Sequence, residues 1–150
     1  MATDGSDGAV PSMCEGVTAT PDLELKLPAR AENVAVIRHA FGGFAEALSV
    51  DEQTLADIKL AVTEACTNVV IHAYEDEEEG DLEVDASIFD RRLTVVIRDN
   101  GRGIVPRPDS PGLGLGLPLI ATLAETLELG KDKGDNTEVR MTFRLDEDEP

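Results

Sequence analysis

Residues Asp22 to Leu27 (DLELKL) alternate leucine with charge, the period of a strand with one buried face. The spacing then changes. Val34, Ile37, Phe41, Phe44 and Leu48 recur at helical intervals and predict a helix over Ala31 to Leu48, weakened and open to bending at Gly42–Gly43. Leu55, Ile58, Val62, Ala65 and Val69 predict a second helix, capped by Ser49 or Asp51 and running to about Ala73. Leu82 to Phe89 and Leu93 to Ile97 predict two strands joined by the polar turn Asp90–Arg91–Arg92. A Gly/Pro-rich stretch from Asp99 to Gly116 leads to a third helix, expected from Leu117 to about Ala124, with Pro118 in its first turn, where a missing N–H costs nothing. Glu125 to Leu129 and Thr137 to Leu145 predict a closing hairpin around GKDKGDN. Paired strands at two places, with helices between, predict an α+β two-layer sandwich: a mixed, largely antiparallel sheet with helices on one face.

Length and composition narrow this picture. The chain has 150 residues, enough for one domain. Residues 1–21 are rich in Gly, Ser, Thr, Asp and Pro and read as a mobile tail. The folded unit is expected over 22–145, followed by an acidic tail at 146–150. The EDEEEGD segment reads as a charged solvated turn, because nothing spaces its acids like a calcium loop. Thirteen Lys+Arg against 31 Asp+Glu give a net charge of −18, which repels phosphate backbones and argues against direct nucleic-acid binding. Aromatics are only 3%, too few for a base-stacking platform. No apolar run approaches the ~18 residues of a membrane span, so no membrane role is expected. The first residues lack both the basic start and the apolar block of a signal peptide. Cys14 and Cys66 make no disulfide framework, so a cytoplasmic protein is expected.

The chain has no P-loop, no G-x-G-x-x-G after a strand, no H-E-x-x-H and no zinc-spaced cysteine pair; two histidines exclude a multi-histidine metal site. Three other elements are present. Glu64, Asn68 and His72 stand at i, i+4 and i+8, on one stripe of the second helix beside its core face. A carboxylate and a carboxamide there suit holding a hard cation and deprotonating a nucleophile; read alone, the stripe is equally a solvated face. The apolar run TVVIR ends in Asp99, followed by Gly101 and Gly103. A carboxylate just past a buried strand suits a ligand amine, and glycines beside it let the backbone approach a flat base. Asn100–Gly101 is also a strong turn dipeptide, but a Pro-rich loop rather than a strand follows it. Finally, Gly112, Gly114 and Gly116 precede the expected third helix, where free N–H groups suit phosphates.

With these residues in view, TEACTNVVIHAY resembles the N box of the GHKL (Bergerat-fold) ATP-binding superfamily, DNGRGI its first glycine box and GLGLGLPLI its second. Thr137 in NTEVRMTF matches the threonine of the last box. The resemblance covers nearly everything from Leu23 to Leu145. One branch is most similar, the anti-sigma factor serine-protein kinases of the RsbW/SpoIIAB type. The resemblance implies the Bergerat fold, ATP and Mg²⁺. It makes Glu64 the general base for a protein serine and Asn68 the Mg²⁺ ligand. It sets Asp99 on the adenine amine, Gly101 and Gly103 along the base pocket, Gly112, Gly114 and Gly116 around the phosphates, and Thr137 at the adenine end. Residues 104–111 would form a proline-rich lid, with Arg107 either reaching a phosphate or solvated. Asn136 departs from the glycine that family members often carry before the threonine. His72 and the buried Cys66 are given packing roles.

The implied function is partner switching: an anti-sigma factor that sequesters a sigma factor and phosphorylates an anti-anti-sigma (STAS-type) protein. A homodimer is compatible with the resemblance. The alternative is a non-catalytic ATP-binding regulatory module of the same fold. A histidine-kinase catalytic domain would need an upstream helical hairpin for which residues 1–21 are too short and polar, and a gyrase- or chaperone-like ATPase would need a longer lid and a transducer domain.

Overall fold

The computed structural model describes residues 20–74, 80–101, 111–134 and 136–145. The elements in chain order are β1 (Leu23–Pro28), α1 (Ala31–Ala47), α2 (Glu52–Asn68) continued by a π-helical turn (Val69–Ala73), β2 (Asp81–Phe89), β3 (Arg92–Asp99), α3 (Pro111–Leu123), β4 (Thr126–Lys131) and β5 (Thr137–Arg144). The strands form one sheet in the order β1-β2-β3-β5-β4, and all four pairings are antiparallel. The expected α+β two-layer architecture is therefore present, with a sheet that is antiparallel at every described pairing.

The alternation along each strand sorts the sheet into two faces. Leu25, Val84, Ile97, Val139 and Leu129 form one row across all five strands. Leu23, Ala86, Val95, Met141 and Leu127 form another. This face packs with Val34, Ile37 and Phe41 of α1, Ile58, Val62, Ala65 and Val69 from α2 and its π turn, and Ile120 of α3. The opposite face carries Lys26, Glu83, Asp85, Arg98 and Glu138.

Local chemistry accounts for the joints. Asp51 is the cap of α2, its carboxylate accepting from the Thr54 N–H at 2.9 Å; Ser49 instead occupies the left-handed position that ends α1, at φ 59°. Asp90 and Arg91 both have positive φ, as a two-residue hairpin demands, and Phe89 pairs with Arg92 across it. Helix α1 runs continuously through Gly42–Gly43.

Helix α3 differs from expectation. It begins at Pro111, not near Leu117, and Pro118 lies inside it. The proline suited to a first turn is thus Pro111. The glycines at 112, 114 and 116 hid the helix, since each lowers helix propensity by about 1 kcal/mol against alanine. Packing against α2 prevails: Ile120 is fully buried in the shared core and Gly116 abuts Asn68. Gly112, Gly114 and Gly116 accordingly belong to the first turns of α3 and do not form a loop ahead of it. Of the expected tails, residues 1–19 and 146–150 lie outside the described residues, as does most of the charged turn after Tyr74.

Candidate functional site

Glu64 and Asn68 are one turn apart on α2, the helix whose other side builds the core. The α-helix ends at Asn68, and Val69–Ala73 winds as a π turn. That wider turn, bonded i→i+5, interrupts the α-helical spacing between Asn68 and His72. Glu64 is half-buried. Asn68 is only 4% exposed, and its Nδ2 is buried with no hydrogen-bond partner among the described residues. A buried amide left unpaired costs on the order of 1–3 kcal/mol, so this nitrogen calls for a partner that the described residues do not supply.

What faces it is α3. A Cβ placed on Gly116 would lie 2.6 Å from Asn68 Nδ2 and 3.3 Å from Oδ1, so only glycine allows the two helices to meet here. The second glycine-rich element and the Glu64/Asn68 helix, distant in sequence, thus converge at one point.

Asp99 ends β3 on the core-facing side and is 3% exposed. It continues the row Leu27–Leu82 and stands directly opposite Thr137 of β5. Its Oδ1 accepts from the Gly101 N–H at 3.0 Å, closing the turn that follows. Gly101 has no room for a side chain: a Cβ would run into the Ala73 carbonyl oxygen and come within 2.7 Å of the Tyr74 ring. The first glycine box is therefore packed against the end of the Asn68 helix. Gly103, residues 104–110 and Arg107 lie outside the described residues, so Gly103 and most of the expected lid have no place in this geometry.

Sequence reasoning missed two residues here. Tyr74, the only tyrosine, ends the first motif. Its hydroxyl proton is shared between the Asp81 carbonyl oxygen and Asn100 Oδ1, each at 2.7 Å, and its oxygen accepts from the Asn100 N–H at 3.1 Å. It pins the helix end to both β2 and the first glycine box. Burial pushes the phenol above its ordinary value, and the carboxylates of Asp99 and Asp81 add to this. The second is Arg98, whose side chain takes the opposite face from Asp99 and bonds Asp85 (2.7 Å) and Glu138 (2.8 Å). Burial works against its charge, but those bonds outweigh it and hold the guanidinium above its ordinary value. Tyr74 stands at the end of the first motif without a role assigned to it there, and only the pairing register reveals Arg98.

A cavity of about 140 Å³ opens at this end of the sheet, lined by Arg98, Asp99, Asn100 and Asn136 with Lys26, Asp81 and Glu83. A larger one of about 480 Å³ lies between α1 and α2 and holds none of the residues expected to act. Among the described residues, no group of three or more His, Cys, Asp or Glu is arranged to hold a metal ion. No helix among the described residues is long and apolar enough to cross a membrane. The Cys66 thiol is fully buried, and burial pushes it up to about 12, which leaves it inert at neutral pH.

An antiparallel sheet covered on one face by helices, with a buried carboxylate at the end of the central strand and an amide nitrogen unpaired among the described residues against a glycine-rich helix, resembles the two-layer ATPase domain of histidine kinases. Comparison agrees: the histidine kinase-like ATPase domain family matches residues 27–143. The serine-protein kinase RsbW of Bacillus thuringiensis (strain Al Hakam) is 35% identical over 127 residues, covering 75% of this chain and 79% of that protein. RsbW of Bacillus anthracis (strain CDC 684 / NRRL 3495) is similar to the same extent. Among solved structures, part of the chain of the RsbU and RsbW domains of Rv1364c from Mycobacterium tuberculosis shares the fold, with a TM-score of 0.65 at 21% identity. That match covers 84% of this chain but only 32% of the two-domain chain. The chain belongs to the histidine kinase-like ATPase family, in its RsbW serine-protein kinase branch.

Proposed function

We propose that this protein is an anti-sigma factor and ATP-dependent protein serine kinase, which phosphorylates an anti-anti-sigma protein and sequesters a sigma factor when that antagonist is phosphorylated. Family membership supports ATP use. The observation that carries the rest is the buried Asn68 carboxamide, unpaired beneath Gly116 and one turn after Glu64. Such an amide fits an Mg²⁺–nucleotide complex, offering its oxygen to a hard cation or its N–H to a phosphate oxygen. When bound, Mg²⁺ neutralises phosphate charge during transfer.

The chain's own residues divide the remaining work. Asp99 accepts a hydrogen bond from the adenine amine, with Gly101 beside it giving the base a close backbone approach. Thr137, opposite Asp99, supports the same end. Gly116, with Gly112 and Gly114 in the turns before it, leaves room for phosphates along α3. Glu64 takes the proton from the serine hydroxyl as its Oγ bonds to the γ-phosphorus and the bond to the departing ADP breaks. The acidic surface, at a net charge of −18, keeps nucleic acid away and leaves protein partners as the targets. A cytoplasmic location follows from those partners.

The test is incubation of the protein with ATP, Mg²⁺ and candidate anti-anti-sigma proteins, with phosphoserine read by mass spectrometry. Phosphoserine on one antagonist, together with release of that antagonist, is the expected result. ATP binding without transfer to any antagonist overturns the kinase reading in favour of a regulatory module.

A further inference from the structure

Arg98 binds more than its two strand neighbours. Beyond Asp85 on β2 and Glu138 on β5, its Nε lies 3.7 Å from Asp132 Oδ2, in the turn between β4 and β5. Asp132 organises that turn: its carboxylate accepts from the backbone N–H groups of Gly134 and Asn136, both at 2.9 Å, and from Asn136 Nδ2 at 3.1 Å. The Asp132 N–H in turn donates to the Asn136 carbonyl at 2.9 Å. The next residue is Thr137, which the register sets opposite Asp99. Arg98, Asp99, Asn100 and Asn136 all line the small cavity at this end.

We propose that Arg98 is a positioning residue for the base end of the nucleotide site, holding the turn after β4 through Asp132 so that Asn136 keeps its place on the cavity beside Asp99. The inference rests on the reading of Asp99 as the acceptor for the adenine amine. Three carboxylates, from β2, β5 and the turn, converge on this one guanidinium. They repel one another, so without Arg98 the turn is the element free to swing away. Asp85 and Glu138 are fixed in the ladder, whereas Asp132 lies just beyond β4. The backbone link Arg98–Asp99 puts the clamp and the base acceptor on opposite faces of one strand, one residue apart.

The experiment compares ATP and GTP affinities by calorimetry for Arg98→Ala, Asp132→Ala, Asp85→Ala and Asp99→Asn. Guanine presents an oxygen where adenine presents an amine, so a loosened base site loses ATP affinity and discrimination together. Arg98→Ala and Asp132→Ala are expected to lose about tenfold in ATP affinity and to narrow the ATP:GTP ratio, the scale of one well-placed hydrogen bond. Asp85→Ala, which removes a cross-strand pair and leaves the turn alone, is expected to bind ATP normally. Asp132→Ala keeps the Arg98 bonds to Asp85 and Glu138, so it stands as the test should Arg98→Ala fold poorly. If Asp132→Ala keeps full affinity and discrimination while Asp99→Asn loses both, the positioning role is overturned and the base site stands. If Asp85→Ala and Asp132→Ala weaken ATP and GTP equally, the network is only scaffolding and the proposal falls. If Asp99→Asn binds ATP normally, the base-site reading itself falls, and this inference with it.

Discussion

Gly116 and Asn68 touch so closely that a single added methyl on the glycine would sit 2.6 Å from the asparagine nitrogen. This contact joins helix α3 to the end of α2, and it reverses the usual sign of a glycine-to-alanine change. In an open helix, Gly→Ala stabilises by roughly 0.5–1 kcal/mol. Gly43, in α1, is such a site, with nothing within 4 Å of its missing Cβ. Gly43→Ala is therefore expected to raise the melting temperature by about 2–4 °C, whereas Gly116→Ala lowers it, because overpacking a buried contact costs about 1–3 kcal/mol. Gly116→Ala also displaces the Asn68 amide and weakens ATP binding, which Gly43→Ala leaves intact. Thermal melts and calorimetry on the two variants check both halves.

Asp99→Asn keeps the shape of the side chain and an oxygen for the Gly101 N–H, so the fold is expected to survive. What it loses is the charge on the bond to the adenine amine. A charge-assisted hydrogen bond contributes about 1.5–3 kcal/mol, so ATP affinity is expected to fall roughly tenfold to hundredfold. Calorimetry at constant Mg²⁺ reads this directly, and unchanged affinity removes Asp99 from the base site.

Asn68→Ala removes the unpaired carboxamide along with its desolvation cost. Stability is expected to change little, since the buried nitrogen has no hydrogen-bond partner among the described residues to lose. The dependence of ATP affinity on Mg²⁺ is the discriminating measurement: titrating Mg²⁺ from none to saturation is expected to strengthen ATP binding in the wild type and far less in the variant. Parallel responses in the two proteins rule out Asn68 as the metal residue.

Much of this was legible in the chain itself, for identifiable reasons. Strands β2 and β5 alternate because one face is buried, β3 departs from this only at the buried Val96, and Val34, Ile37 and Phe41 hold helical period because α1 packs into the same core. Asp99 was visible as an acid ending an apolar run. Of helix α3 only the later part was, because its glycines and Pro111 mask the first turns, whose support comes from α2. The π turn after Asn68 has no sequence period of its own, so the change of winding before His72 left no local signal. Tyr74 and Arg98 act through partners 26 and 40 residues away, Asn100 and Glu138, and no local pattern records such distances.

Burial of Cys66 makes stability depend on alkaline pH with a definite sign. The thiol is held up to about 12 in the folded chain, against an ordinary value of 9.0. Above about pH 9 the unfolded chain gives up this proton while the folded one keeps it, so the stabilisation is complete below pH 9 and is lost as pH rises towards 12. The slope from this group is about 1.4 kcal/mol per pH unit at most. Urea unfolding at a series of pH values from 8 to 10.5 is expected to show a steeper decline for the wild type than for Cys66→Ala. Equal slopes would mean the thiol is not sealed in the core.

Glu64 separates enzyme from binding module. It lies one turn before Asn68 on the same helix, half-buried, with no hydrogen bond or ion pair among the described residues to occupy its carboxylate. Glu64→Gln keeps the volume and much of the hydrogen bonding but cannot accept a proton from serine. The variant is expected to bind ATP nearly as well as the wild type and to transfer phosphate at least ~100-fold more slowly, the scale of a lost general base. It is also expected to stay bound to its anti-anti-sigma partner, because release waits on phosphorylation. ATP affinity by calorimetry and phosphoserine formation by mass spectrometry measure the two effects separately. Equal transfer by both proteins takes Glu64 out of the mechanism. A parallel fall in ATP affinity makes it a binding residue rather than a base.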